Sequence, residues 1–177
     1  MTDQPDPAGE TRRNFYGRRH GKALKPAQRR YLDEDLPRLS VDVTGPLDPA
    51  VVFPGRPVWL EIGFGGGEHL VHQAQSNPGV GFIGAEPYVN GIAMCLGKIR
   101  RAGVGNIRIH PGDARDLMDA LPDRSIARAF LLYPDPWPKA RHHRRRFVTP
   151  DHLAPLRRVL APGAEFRIAT DIDDYVR

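Results

Sequence analysis

The chain has 177 residues, of which 40% are apolar, which is enough for one domain with an ordinary hydrophobic core. Its net charge of +5 is concentrated in two arginine-rich stretches, residues 11–30 and 139–146, which suggests a polyanionic partner. No apolar run approaches the roughly 20 residues that a membrane helix needs, and residues 1–10 do not resemble a signal peptide, so we expect a cytoplasmic protein without membrane contact. The single cysteine, Cys95, excludes an internal disulfide and a cysteine-based metal cage, and its apolar neighbours predict a buried side chain.

Residues 1–57 are expected to form a disordered basic arm followed by a linker. Residues 1–10 are rich in proline and acidic side chains, which predicts disorder. Residues 11–30 surround two aromatic rings with arginines and lysines, and the glycines among them disfavour a helix. Such an arm can follow phosphates and stack on bases, although a solvated tail that only adds solubility explains it equally well. Frequent prolines over residues 31–57 predict a linker without long regular structure.

Strands and helices alternate from residue 58 onward. We expect strands over residues 58–64, 81–86, 107–110, 126–133 and 164–170, and helices over residues 68–75, 90–102, 114–121 and 150–160. This alternation predicts an α/β fold with a doubly wound, mostly parallel Rossmann-like sheet, covered by helices on both faces. The predicted domain is residues 58–177.

An acidic residue stands at or just after the end of every predicted strand. In chain order these residues are Glu61, Glu86, Asp113, Asp135 and Asp171. Ligands of such sheets bind beyond the carboxyl ends of the strands. Helix capping is a rival explanation for Asp113 and Asp171. Five acidic residues in one structural position nevertheless indicate a shared ligand site, because so many carboxylates are costly to keep ionised together without a ligand.

The first strand runs into a glycine-rich turn with the pattern E-x-G-x-G-x-G, formed by Glu61, Gly63, Gly65 and Gly67. A dinucleotide-binding turn would need glycine or alanine at the position of Glu68, whose charge would repel a pyrophosphate. The turn therefore favours a ligand without phosphate that carries an ammonium and a sulfonium centre, and S-adenosylmethionine is such a ligand. Two further strand ends agree, since Glu86 can accept the ribose hydroxyls and Asp113 can reach the adenine amino group.

The most distinctive stretch is YPDPWPKARHHRRR, residues 133–146. Its alternating prolines fix the backbone of a loop and hold Asp135, Trp137 and Lys139 in set directions. A carboxylate, an indole and an ammonium in a rigid loop can orient a planar base, stack on it and hold its phosphate. The alternative is that Trp137 fills the core and the cations form a solvated turn. No metal site is expected at the two adjacent histidines, because their side chains diverge and the surrounding arginines repel a cation.

Several segments together resemble the bacterial tRNA (guanine-N7)-methyltransferase family. They are EIGFGGGEHL, FIGAEP followed by NGIA, NIRIHPGDA, LLYPDPWPKARHHRRR, the terminal ATD with its later tyrosine, and NFYGRRHGK in the arm. The resemblance runs from about residue 12 to the end, and the PDPWPK loop with its basic run is its most specific part. It implies a class I methyltransferase that uses S-adenosylmethionine to methylate N7 of the variable-loop guanine of tRNA, at position 46 in standard tRNA numbering.

The same resemblance assigns roles to individual residues. Glu61, Glu86, Asp113 and Asp135 would contact the cofactor together with the glycines of the turn, and Asp135 would also be catalytic. Lys139 and Asp171 would bind the target nucleotide. The candidates for contact with the RNA backbone are Arg18, Arg19, Arg141, Arg144 and Arg145.

The sequence departs from the family pattern in two places. EPYVNGIA replaces the EV-x-x-PG form common in the family, although Glu86 itself is present. The resemblance also implies another helix and a closing antiparallel hairpin with a segment that helps to hold the target guanosine. The sheet is therefore expected to lack that hairpin here, either because the chain is a fragment or because the remainder is unobserved.

The expected chemistry needs no general base, because N7 of neutral guanine has a lone pair and no proton. Catalysis would then be positioning and electrostatics, with Asp135 orienting the base and stabilising the cationic product. Two other interpretations stay open: a methyltransferase acting on a small molecule or a protein, and a catalytically silent RNA-binding module that keeps the fold. Glu68 disfavours an NAD-dependent oxidoreductase. The sequence does not determine the oligomeric state.

Overall fold

A five-stranded parallel sheet forms the centre of the computed structural model, which describes residues 17–175. Its strands are β1 (Val58–Ile62), β2 (Gly81–Ala85), β3 (Ile107–His110), β4 (Ile126–Leu132) and β5 (Leu160–Ala169). The order across the sheet is β3-β2-β1-β4-β5, so the direction of winding reverses between β1 and β4. Ligands of such sheets bind at this reversal. The predicted doubly wound α/β fold is confirmed.

Helices cover both faces of the sheet and bury two hydrophobic clusters. The helices are α1 (Pro26–Glu34), α2 (Leu36–Leu39), α3 (Pro49–Val52), α4 (Glu68–Ser76), α5 (Val89–Ala102), α6 (Ala114–Ala120) and α7 (Pro150–Val159), with 3₁₀ turns over Ala140–Arg145 and Asp173–Tyr175. One cluster includes side chains of α6 and α7, and the other includes side chains of α4 and α5 with α1 packed against it. No helix within residues 17–175 is long and apolar enough to cross a membrane.

The segment expected to be a linker without regular structure is instead folded onto the domain. Helix α1 packs against α5, where a Cβ placed on Gly97 would lie 2.9 Å from the ring of Tyr31. The guanidinium of Arg100 lies 5.1 Å from the centre of the same ring and pairs with Asp35, which is buried. The linker prediction is therefore wrong for α1, because a glycine on α5 leaves room for an aromatic ring. The prediction of disorder for residues 1–10 falls outside the described residues.

Element boundaries differ from the predicted ones by a few residues. Strands β1 and β4 end slightly earlier than expected, because the left-handed backbone of Gly63 and Tyr133 follows them directly. Strand β5 begins at Leu160 and not at residue 164, so it follows α7 without a loop. The early ends of β1 and β4 place their turns at the carboxyl edge of the sheet, beside the reversal.

Candidate functional site

The glycine-rich turn after β1 has a left-handed backbone at Gly63 (φ 68°), Gly65 (φ 54°) and Gly67 (φ 78°). Gly63 and Gly65 line a cavity, and a Cβ on either would meet no protein atom within 4 Å. Gly67 differs, because a Cβ there would lie 2.3 Å from Sγ of Cys95. Gly67 thus allows close packing of the turn on α5 and is not among the residues that line the cavity, so its contact with the cofactor stays a prediction.

Glu86 follows β2 and holds the glycine turn in place. Its two carboxylate oxygens accept hydrogen bonds from the backbone N–H of Gly65 at 2.7 Å and of Tyr88 at 2.9 Å. The side chain is buried and also lines the cavity. Burial raises the pKa of Glu86 against the opposing effect of these hydrogen bonds, and the charge of Asp135 raises it further. Each carboxylate oxygen keeps a lone pair that a ligand hydroxyl can use.

Asp113 caps α6, where its Oδ1 accepts a hydrogen bond from the backbone N–H of Arg115 at 2.9 Å. The carboxylate also forms an ion pair with the guanidinium of Arg115. Burial alone would raise the pKa of Asp113, but the hydrogen bonds from Arg115 lower it below its ordinary value. The capping explanation is confirmed for this residue. Asp113 lines the cavity as well, so its predicted contact with a ligand is compatible with the cap.

Glu61 is not among the residues that line the cavity, and its carboxylate contacts a histidine on α4. It lies within β1, and its Oε2 is 2.7 Å from Nδ1 of His69 on α4. Only 4% of Glu61 is exposed, and the ring of His69 packs edge-on against Phe130. Burial raises the pKa of Glu61, and the hydrogen bond with His69 opposes that rise. His69 was not predicted, because its only signal in the sequence is a histidine in the helix that follows the glycine turn.

The cavity of about 1050 Å³ lies at the reversal of the sheet. Three of the five predicted carboxylates line it: Glu86, Asp113 and Asp135. Asp135 is exposed at the mouth, and its carboxylate has no hydrogen bond or ion pair within residues 17–175. Asp171, which follows β5, is exposed and does not line the cavity. Lys139, in the loop after β4, is also exposed and does not line the cavity. The structure thus brings three of the five predicted carboxylates to one cavity, and the roles of Glu61 and Asp171 stay predictions.

The loop after β4 brings an indole and two guanidinium groups to the cavity. Trp137 has a left-handed backbone (φ 41°), is half-buried and lines the cavity, so it does not fill the core. The guanidinium of Arg145 lies 5.0 Å from the centre of its ring, and Arg144 also lines the cavity. Arg141 is exposed and contacts the neighbouring His142.

His142 packs edge-on against Trp137, with 6.0 Å between the ring centres. Loss of hydration and the nearby Arg145 and Arg141 lower the pKa of His142. In the part of the chain that the structure describes, no three histidine, cysteine or acidic side chains are grouped so that they could hold a metal ion.

The basic arm is attached to the amino end of α5 beside the cavity. Asn90 bonds the arm twice, since its Oδ1 accepts from the backbone N–H of Gly21 at 2.8 Å and its Nδ2 donates to the carbonyl of Lys22 at 2.7 Å. The carbonyl of Arg19 accepts from the backbone N–H of Val89. Arg18 lines the cavity, whereas Arg19 is exposed outside it. Asn90 was not predicted, because nothing in the sequence pairs it with a segment about seventy residues away.

The fold and the cavity define a Rossmann-like methyltransferase architecture. A family model described as "Putative methyltransferase" matches residues 55–177. The structure is similar to phosphoethanolamine N-methyltransferase 2 of Haemonchus contortus, solved with S-adenosyl-L-methionine, with a TM-score of 0.50 and 21% identity over 66% of this chain and 25% of that one. This likeness shows the shared fold.

Relatives of much higher identity define the family more narrowly. The chain is 70% identical to a tRNA (guanine-N(7)-)-methyltransferase of Roseobacter denitrificans, over 93% of this chain and 74% of the relative. It is 50% identical to one of Paramagnetospirillum magneticum, over 96% of this chain and 74% of the relative. The chain belongs to the tRNA (guanine-N7)-methyltransferase family.

Proposed function

We propose that the protein transfers the methyl group of S-adenosylmethionine to N7 of guanine in tRNA, at position 46 of the variable loop. The observation that carries the proposal is 70% identity over 173 residues to the Roseobacter denitrificans tRNA (guanine-N(7)-)-methyltransferase. The cavity supports it independently, because its carboxylates, indole and guanidinium groups suit a cationic methyl donor and a nucleotide. Since tRNA is the substrate, the protein acts in the cytoplasm.

The residues that line the cavity fit S-adenosylmethionine. The missing side chains of Gly63 and Gly65 leave open space above the turn, and Glu86 and Asp113 provide acceptors on the next two strands. Glu86 would hold the ribose hydroxyls and Asp113 the adenine amino group. Glu68 at the start of α4 pairs with Lys98 at 3.0 Å and gives the helix end a carboxylate that disfavours a phosphate. When bound, S-adenosylmethionine supplies an electrophilic methyl group on a positively charged sulfur.

Asp135 is the group best placed to act on the guanine. Its carboxylate is exposed at the mouth of the cavity, so it can accept hydrogen bonds from the N–H groups of the Watson–Crick edge of a guanine. Because N7 has no proton to lose, the protein needs to fix the angle of attack and to stabilise the positive charge that develops on the purine. A fixed carboxylate beside the base does both.

The charges around the cavity are separated in a way that suits this reaction. Among the residues that line it, Glu86 is buried and Asp113 is half-buried, whereas Arg18, Arg144 and Arg145 line it from the arm and from the loop after β4. Guanidinium groups at the mouth can bind the phosphates on either side of the target guanosine. Lys139 and Asp171 lie outside the cavity, and we retain them as candidates for contacts with the target nucleotide further from the reacting atoms. Glu61 stays a predicted cofactor residue.

Methyl transfer from radiolabelled S-adenosylmethionine to bulk tRNA tests the proposal. We expect the label in 7-methylguanosine after digestion to nucleosides, and no label in a tRNA whose variable-loop guanine is replaced by adenine. Label in protein or small molecules but not in tRNA would overturn the proposal in favour of a different methyltransferase. Absence of S-adenosylmethionine binding in calorimetry, with tRNA binding intact, would indicate a silent RNA-binding module.

A further inference from the structure

Arg146 is buried at the end of a basic run in which Arg141 and Arg144 are exposed. Only 8% of it is accessible to solvent. A buried guanidinium is costly unless its donors are satisfied, so its contacts show what the residue does. The sequence alone does not distinguish Arg146 from the neighbouring arginines, since all of them belong to one run of basic residues.

The first contact of Arg146 is with the loop that carries Asp135. Its Nε donates a 3.0 Å hydrogen bond to the carbonyl oxygen of Pro136, the residue directly after Asp135. The next residue, Trp137, has a left-handed backbone, which is strained for a side chain of this size. The bond from Arg146 therefore fixes a peptide group between the exposed carboxylate and a strained position that needs external support.

The other contacts of Arg146 are with the segment after β5. Its Nη1 donates to the backbone carbonyl of Asp174 at 2.9 Å, and its Nη2 donates to Oδ2 of Asp174 at 2.7 Å. The guanidinium also lies over the ring of Tyr175, 5.0 Å from its centre. The hydroxyl of Tyr175 in turn accepts a hydrogen bond from the backbone N–H of Phe147 at 3.1 Å. Arg146 thus joins the loop after β4 to the segment after β5, where His143 Nε2 also lies 3.3 Å from Oδ2 of Asp174.

We propose that Arg146 is a positioning residue for methyl transfer, which holds the Asp135 loop against the segment that contains Asp171 and Asp174. The inference rests on the proposed function, because Asp135 is the group that it aligns. The two segments follow neighbouring strands and carry the predicted groups for the target guanosine. The planar fork of Arg146 reaches both of them at once, which the single ammonium of a lysine cannot do with the same geometry. Loss of this connection leaves the cofactor side of the cavity intact and loosens the side that receives the base.

The test is Arg146→Lys in the full-length protein, which keeps the charge and removes the fork. We expect kcat to fall about 10-fold or more, because displacement of a reacting group by about 1 Å is enough for such a loss. The KM for tRNA should change less than about threefold, since phosphate contacts at the surface are untouched. Calorimetry should give an unchanged affinity for S-adenosylmethionine. Arg157→Lys is the matched control, because Arg157 is exposed on α7 outside the cavity, and it should leave kcat and KM as in the wild type.

A second readout follows the loop itself and does not depend on activity. The chain has two tryptophans, so in a Trp59→Phe background Trp137 is the sole tryptophan. We expect Arg146→Lys to increase acrylamide quenching of Trp137 in the native protein, and Arg157→Lys to leave the quenching unchanged. Native circular dichroism in both variants would show that the fold is retained.

A third variant tests the coupling between the two segments. Asp174→Asn weakens the ionic contact with Arg146, so it should lower kcat by a smaller factor, and its effect should be smaller in the Arg146→Lys background than in the wild type. Wild-type kcat and wild-type quenching in Arg146→Lys would overturn the inference, and so would fully additive effects of the two substitutions. A wild-type protein that does not methylate tRNA would instead contradict the proposed function, while the quenching experiment would still decide whether Arg146 holds the loop.

Discussion

The backbone N–H of Gly65 donates a 2.7 Å hydrogen bond to the carboxylate of Glu86. This bond connects the glycine turn after β1 to the end of β2. Because Gly65 has no side chain and a left-handed backbone, its N–H is free to turn toward the neighbouring strand. Glu86 therefore shapes the turn that it also helps to line, and a change at Glu86 alters two parts of the cavity at once.

Glu86→Gln should weaken binding of S-adenosylmethionine. Glutamine has one acceptor oxygen where the carboxylate has two, so the N–H of Gly65 or of Tyr88 loses its partner. Loss of a charge-assisted hydrogen bond in a buried site corresponds to an increase in Kd of about 10- to 100-fold. Calorimetry measures this directly. Glu68→Gln is the control, because Glu68 is exposed, and it should change Kd less than about threefold; equal affinities in both variants would contradict the assignment of Glu86.

Asp135→Ala should separate binding from turnover. The carboxylate lies at the mouth of the cavity and makes no bond that supports the described fold, so cofactor affinity should stay within about an order of magnitude of wild type. Methyl transfer should fall by about 10²-fold or more, because the charge that orients and stabilises the base is lost. Single-turnover transfer to tRNA is the measurement. Asp33→Ala on the exposed side of α1 is the control, and wild-type turnover in Asp135→Ala would remove its catalytic role.

Asn90→Ala should release the basic arm from α5. The substitution removes the hydrogen bonds to Gly21 and Lys22, which hold the arm beside the cavity. Two hydrogen bonds of ordinary net strength correspond to a rise of about 5- to 10-fold in the KM for tRNA, with kcat little changed. Steady-state kinetics with varied tRNA tests this. Asn77→Ala, which removes only local bonds at the end of α4, should leave KM unchanged.

Glu61 should make stability depend on pH in an unusual direction. Burial raises the pKa of Glu61 in the folded state above the ordinary 4.5. At pH values between 4.5 and this folded-state pKa, the folded protein binds more protons than the unfolded chain. The contribution of Glu61 to the free energy of unfolding is then fully present below 4.5 and is lost as the pH rises through the folded pKa. Urea unfolding of wild type and of Glu61→Gln across this range should show the wild type losing stability relative to the variant as pH increases. A constant difference would show that the pKa of Glu61 is the same in both states.

Gly67→Ala should mainly lower stability, whereas Gly65→Ala should mainly lower cofactor affinity. Both substitutions place a side chain on a left-handed backbone, but only the Cβ at Gly67 meets Cys95. Gly67→Ala should therefore lower the free energy of unfolding by about 1–3 kcal/mol more than Gly65→Ala does, because the core must shift to admit the methyl group. Gly65→Ala should show the larger loss of cofactor affinity, since its methyl group enters the cavity. Urea unfolding and calorimetry on both variants distinguish these effects.

Much of the fold can be predicted from the sequence, because the strands are short apolar runs between glycines, prolines and amphipathic helices. The arm was harder to predict. The glycines among residues 11–30 were expected to disfavour a helix, yet α1 begins within this stretch at Pro26, because proline is favoured at the first position of a helix. The contact between Tyr31 and Gly97 that holds α1 in place joins distant parts of the chain, and no local sequence pattern predicts it.

The sequence predicted which strand ends carry residues of the candidate site, but not which neighbours each side chain contacts. Strand ends correctly placed Glu86, Asp113 and Asp135 at one cavity. The same reasoning did not reveal the partner of Glu61, since His69 lies on the following helix and no strand pattern indicates the contact. The division of the basic run into buried and exposed arginines depends on tertiary contacts, which adjacent identical residues do not reveal.

Cys95 beneath the glycine turn has a practical use. It is the sole thiol in the chain, it is fully buried, and burial raises its pKa to about 12. At neutral pH it will not react with maleimides while the protein is folded. A cysteine introduced at the exposed position of Ala140 would then be a unique attachment point for a fluorescent dye. Cys95 would not have to be removed to follow, in real time, how the loop after β4 responds to an arriving tRNA.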